Sequence, residues 1–238
     1  MKIARNNDAY GVRYRTQAIG SVELFYREAG DPVNPTILLL HGFPSSSHMF
    51  RNLIEQLSDE YHLVAPDYPG FGYSDCPDPS VFDYTFDHLA EIMEQFIDAL
   101  KLQHMSFYMQ DYGGPVGFRI IKKRPELVRN LIIQNATIFL EGLGPDVLKI
   151  GKMTDAQDFA GLDAAIEFMM SLEGIKSQLF PAPYIRNASI LIAIIWIIIF
   201  SDSQVKRPFK RFFLTTIAAI SPDIRNGRHI SGSNSRLC

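Results

Sequence analysis

Cysteine is nearly missing from this chain. Cys76 and Cys238 are the only two in 238 residues. They form no disulfide framework and have no metal-ligand spacing, so a reducing compartment, the cytoplasm, is the expectation. An excess of basic residues is also missing. Lys and Arg total 23 against 26 Asp and Glu, a net charge of −3. That balance argues against a nucleic-acid partner. The first 30 residues hold no apolar run of signal-peptide type, so secretion is not expected. Histidines 48, 62, 88 and 104 show no ligand spacing and read as surface or satisfied core residues.

What is present suits a globular protein: 47% hydrophobic and 21% charged residues. The stretch that organises the chain is Met105-Ser-Phe-Tyr-Met-Gln-Asp111-Tyr-Gly-Gly-Pro-Val-Gly117. An apolar run, 105–109, reads as a buried strand, and 116–123 reads as a helix. A strand, a sharp turn and a helix with one reactive side chain at the turn form a nucleophile elbow. The usual residue there is serine; here it is Asp111. A carboxylate displaces at saturated carbon and gives an alkyl ester.

The segments 10–19 and 21–28 read as two strands, because Val22, Leu24 and Tyr26 alternate with polar positions. Thr36-Ile-Leu-Leu-Leu40 is fully apolar, the pattern of a central parallel strand. It ends in His41-Gly-Phe-Pro44, and the serines 45–47 offer caps for a helix through about Leu57. His62-Leu-Val-Ala65 is the next strand. The turn-rich Asp67-Tyr-Pro-Gly-Phe-Gly-Tyr-Ser-Asp75 follows it. Thr85 caps a helix with one apolar stripe: Phe86, Leu89, Ile92, Met93, Phe96, Ile97 and Leu100. Leu131-Ile-Ile-Gln-Asn-Ala136 is one more strand. Strands alternating with helices predict an α/β fold, a mostly parallel doubly wound sheet with right-handed crossovers. Its site lies beyond the carboxyl ends of the strands, where His41, Phe43, Asp67, Asp111 and Asn135 all fall.

On His41-Gly-Phe-Pro44, the 67–75 loop and Gln110-Asp-Tyr-Gly-Gly114, the chain resembles the α/β-hydrolase superfamily. Within it, the chain is similar to the aspartate-nucleophile branch of haloalkane dehalogenases and epoxide hydrolases. The resemblance runs from about Gly11 to about Gln178. It implies hydrolysis of an epoxide or alkyl halide, a small-molecule substrate and no cofactor. It implies that Asp111 is the nucleophile, with the backbone N–H groups of Phe43 and Tyr112 as the oxyanion or leaving-group pocket. His41 and Asn135 would line the substrate, His41 mainly by fixing the loop that holds Phe43. Asp67 would bond backbone within its own loop. The dehalogenases usually carry tryptophan where Tyr112 stands, and Phe43 is commoner in epoxide hydrolases. Met109 is bulkier than the small residue such elbows prefer, which predicts a crowded turn.

The expected organisation is a hydrolase core over 1–140, a partial helical lid over 141–180 and a divergent tail over 181–238. The lid stripe is Leu162, Ala165, Ile166, Met169 and Met170. The family pattern also requires an acid after a later strand and a histidine after the last one. Past 178 only His229 follows, with Asp223 six residues before it. The composition shift there predicts a tail that is not an evolved hydrolase segment, as a misread exon would give. Two readings compete with a working enzyme. One is an impaired homologue that lacks the acid–histidine pair. The other is membrane attachment through 184–212, where the apolar run 188–200 precedes a basic cluster, 206–211. That run has 13 residues, short of the ~20 that span a bilayer.

Overall fold

A computed structural model describes residues 11–136, 139 and 142–179. The tail over 181–238, with His229 and the 184–212 segment, lies outside the described residues.

Two N-terminal strands, β1 (Arg13–Ile19) and β2 (Val22–Ala29), form an antiparallel pair. β3 (Thr36–Leu40) and β4 (His62–Pro66) follow, and both are buried almost throughout. A short 3-10 turn (Ser47–Phe50) and α1 (Arg51–Leu57) connect them. After β4 come α2 (Phe86–Ala99), β5 (Met105–Gln110), α3 (Gly113–Lys123) and β6 (Val128–Gln134). The strand order is β1-β2-β4-β3-β5-β6, and β4, β3, β5 and β6 are mutually parallel. β2 joins β4 antiparallel, so the sheet is mixed at one side and parallel through its centre.

The central strands are where continuous apolar sequence meets burial from both faces. One core cluster lies under α2 and α3: it takes Leu38 and Leu40 from β3, Phe107 and Met109 from β5, and Leu89, Met93 and Phe96 from α2. The opposite face of the sheet packs Ile37 and Leu39 against Phe50 and Ile54. Thr85 caps α2 as its sequence predicts, its hydroxyl accepting from the His88 N–H over 3.2 Å.

The starts of α3 and β6 differ from the sequence reading for identifiable reasons. α3 begins at Gly113, not at 116. Gly113 lies so close to β3 that a Cβ there would stand 2.3 Å from the Leu40 carbonyl oxygen. Packing against the sheet therefore overrides the poor helix propensity of two glycines. β6 begins at Val128, not at Leu131, because Val128 already pairs with Met105. It ends at Gln134, and Asn135 turns the chain with φ +47°. An αL turn suits asparagine better than most residues.

Three helices follow: α4 (Pro145–Asp155), α5 (Phe159–Met169) and α6 (Leu172–Leu179). Leu162 and Ile166 of the predicted stripe are buried with Ile150. Phe43, Met153, Met169 and Met170 pack against that cluster. Phe43 and Met170 pack against the main core as well, so they join these helices to the sheet. No helix among the described residues is long and apolar enough to cross a membrane.

Candidate active site

β3 and β5 are parallel neighbours with Leu40 opposite Met109. Their C-terminal ends therefore deliver His41-Gly-Phe43 and Gln110-Asp111-Tyr112 to the same place. Asp111 sits at the turn between β5 and α3 with φ +48°. For a residue with a Cβ this is a sparsely populated conformation, costing about 1–3 kcal/mol. It holds the carboxylate above the strand end and just before the first turn of α3.

The Phe43 N–H donates to Asp111 Oδ1 over 2.8 Å. The Tyr112 N–H also hydrogen-bonds the carboxylate. Two main-chain donors thus converge on the group that the sequence nominates as nucleophile. Burial pushes the Asp111 carboxyl above its ordinary value, and the two N–H groups oppose that in part. Among the described residues no histidine hydrogen-bonds to Asp111.

Gly42 explains why the loop comes so near. A Cβ at this position would lie 2.4 Å from the Asp111 Cβ and 2.3 Å from Gln110 Oε1. Gly117 plays the matching part beneath the elbow, where a Cβ would lie 2.3 Å from Met109 Sδ. The bulk of Met109 is therefore accommodated by the missing side chain at 117.

His41 is fully buried, and its ring is used by backbone on both sides. Nδ1 donates to the Gly42 carbonyl over 3.1 Å, and Nε2 accepts from the Tyr68 N–H over 3.2 Å. This pairing places the proton on Nδ1. Burial lowers its pKa, and Asp67 offsets that only partly. With both nitrogens engaged on backbone, the imidazole fixes the loop that holds Phe43. Asp67 is equally buried. Its Oδ1 accepts from the Ser47 N–H over 2.6 Å and its Oδ2 from the Tyr73 N–H over 2.9 Å. Gly72 makes room for that carboxylate, since a Cβ there would sit 2.0 Å from Oδ2.

The walls are aromatic. Tyr112 stacks on Phe43 with centroids 5.6 Å apart and meets Phe86 edge-on at 4.9 Å. Phe71 lies 6.3 Å from Tyr112 and 5.2 Å from His41. Asn135 stands exposed at the end of β6, beside the strand that carries Asp111, and no hydrogen bond joins it to Asp111. Sequence reasoning missed Gly42, whose role depends on a contact 69 positions away in the chain. It also missed Tyr68, which stands in the loop it quoted. Among the described residues no cluster of His, Cys, Asp and Glu could hold a metal ion.

The family model described as alpha/beta hydrolase fold matches residues 35–166. The chain belongs to that family, as the sheet and the strand-end site also indicate. It is 45% identical over 130 residues to an uncharacterized hydrolase of Saccharomyces cerevisiae, covering 55% of this chain and 44% of that one. It is 34% identical over 153 residues to a haloalkane dehalogenase of Bradyrhizobium diazoefficiens, covering 64% and 44%. It is 40% identical over 101 residues to haloalkane dehalogenase 2 of Mycobacterium tuberculosis, covering 42% and 35%. The chain thus matches less than half the length of these relatives. Among solved structures, the epoxide hydrolase CorEH superposes with a TM-score of 0.68 at 18% identity, over 88% of this chain and 75% of that one. That similarity is one of fold.

Proposed function

We propose that this chain is a hydrolase of small uncharged molecules that attacks the carbon of an epoxide or alkyl halide through Asp111. The observation that carries this reading is the Asp111 carboxylate, raised on an αL turn and held by the Phe43 and Tyr112 N–H groups. Two of the relatives named above are haloalkane dehalogenases, which supports the same chemistry.

In the first step a carboxylate oxygen attacks the substrate carbon. A C–O bond forms, and the bond to halogen or epoxide oxygen breaks with its electron pair. The products are an aspartyl ester and a halide, or an alkoxide that takes up a proton. The aromatic walls exclude water from this displacement. In the second step water adds to the ester carbonyl. The developing oxyanion is met by the two N–H groups that already hold the carboxylate. The alcohol then leaves and Asp111 is restored.

A second reading is favoured by one specific observation. The second step needs a base for the water; among the described residues no histidine hydrogen-bonds to Asp111, and His41 in the adjoining loop has both nitrogens on backbone. A chain without another base would stop at the ester. Intact mass after incubation with styrene oxide or 1-iodobutane separates the two. Product that accumulates beyond one equivalent supports turnover, and a lasting single adduct on Asp111 supports the half-reaction. Absence of both overturns the role of Asp111.

A further inference from the structure

Arg27 lies on β2 opposite Tyr14 of β1 and is only 6% exposed. Arginine is seldom buried unless an anion meets it. The more exposed Arg15, Arg119 and Arg124 each reach a carboxylate within 2.7 Å. Arg27 reaches none. Its Nε donates to Ser47 Oγ over 3.1 Å, and its two terminal amino groups make no hydrogen bond or ion pair among the described residues. Nor are those groups sealed from solvent, as the Arg13 Nε and the Tyr68 hydroxyl are. The carboxylate behind Ser47 is that of Asp67, and both its oxygens are taken by the Ser47 and Tyr73 N–H groups. Burial, Arg51 and Arg27 together lower the His48 pKa to about 4, so that imidazole adds no charge near pH 7. Two guanidinium charges thus stand in this region against one carboxylate already in use.

The rim around the unused fork is aromatic. The guanidinium carbon stands 4.9 Å from the Tyr14 ring centroid and 5.6 Å from that of Phe25. Phe25 stacks on Tyr14 at 6.1 Å with 17° between the planes, and it meets Tyr73 at 4.9 Å. Tyr14 is 64% exposed and Tyr73 48%, so the rim opens to solvent. None of these residues belongs to the Asp111 pocket. We propose that Arg27 and this rim form a second ligand site, one that takes a small aryl carboxylate. An arginine fork holds a carboxylate through two parallel N–H···O bonds. The aromatic faces beside it stack with a planar ring. One fork matches the single charge of a carboxylate, and Asp67 behind Ser47 opposes the denser charge of a phosphate dianion.

The test is fluorine NMR of 4-fluorobenzoate with the full chain. Saturable line broadening is expected, with a Kd on the order of 1 mM, and with the same affinity in wild type and D111N. R27Q should bind about tenfold more weakly, the loss of one charge-assisted pair. Y14A, a change at an exposed position, should bind about threefold more weakly and carries the test if R27Q does not fold. 4-Fluorobenzyl alcohol keeps the ring without the charge, and inorganic phosphate keeps the charge without the ring. Each should displace the probe about tenfold less well than benzoate does. No saturation in wild type by about 10 mM overturns the proposal, and so does undiminished binding to folded R27Q or Y14A. Loss of binding in D111N puts the probe in the Asp111 pocket and overturns it as well. Phosphate that competes as well as benzoate overturns the aryl carboxylate as the ligand.

Discussion

The Phe43 N–H donates to Asp111 Oδ1 across 68 positions of sequence, over 2.8 Å. The bond joins the loop after β3 to the elbow after β5, and it is possible only because those strands are parallel neighbours. The Phe43 side chain meanwhile packs against the cluster of Ile150, Leu162 and Ile166 in the helices beyond β6. One residue thus touches the carboxylate through its backbone and the cluster of α4 and α5 through its side chain.

G42A should break this relationship. The new Cβ would fall 2.4 Å from the Asp111 Cβ, so loop and elbow must separate. Displacement of a positioned group by about 1 Å costs about 100-fold in rate. The rate of adduct formation on Asp111 is expected to fall by at least that much, with a lower thermal midpoint. A G42A chain that reacts like the wild type would show that the close approach is not needed.

D111N should stabilise the fold at neutral pH. Burial raises the Asp111 pKa above its unfolded value. The native state then binds this proton more tightly. Its contribution to stability is complete below the unfolded value and is lost as pH rises through the folded value. Above the folded value wild type buries a charge that D111N does not, and asparagine tolerates the same φ. The expected rise in melting temperature is on the order of a few degrees. It should shrink towards zero below about pH 4, where both chains are neutral at this site.

Two histidines work in the opposite sense. Burial lowers the pKa of His41, and burial with the Arg51 and Arg27 charges lowers that of His48 from 6.5 to about 4. Stability from such groups is present above the unfolded value and is lost as pH falls, because the unfolded chain takes up the protons first. H48Q should therefore flatten the loss of unfolding free energy between pH 6.5 and about 4, read as its difference from wild type in urea titrations. Parallel curves for the two proteins would contradict the neutral state of the half-buried His48.

β6 is the outer strand of the described sheet, with Leu131 43% exposed, Ile132 40% and Ile133 50%. An open apolar edge pairs with other chains, and charge at the edge prevents it. L131K and I133K together are expected to increase the soluble fraction and reduce light scattering. Wild-type chain that is already monodisperse at the same concentration would contradict this.

Much of the core was legible because pattern and burial agree there. Thr36–Leu40 is apolar at every interior position and is buried on both faces, so its sequence has one reading. α2 was legible for a similar reason, since its stripe and its Thr85 cap both point to a helix from Phe86. The start of α3 was not, because contact with the Leu40 carbonyl decides it and local propensity opposes it. The start of β6 was hidden by Arg129 and Asn130, polar residues that an exposed strand tolerates. At the site, Asp111 and Phe43 were visible as motif residues. Tyr68 was not, because its part there is a backbone N–H on His41, and that pairing is a property of the fold.

The most direct test of the central claim is peptide mapping of the full chain after exposure to styrene oxide, beside D111N. An aspartate that attacks carbon predicts one adduct, on Asp111, forming more slowly as pH falls through the carboxyl's pKa and absent in D111N. Modification spread over other residues, or equal labelling of D111N, would contradict it.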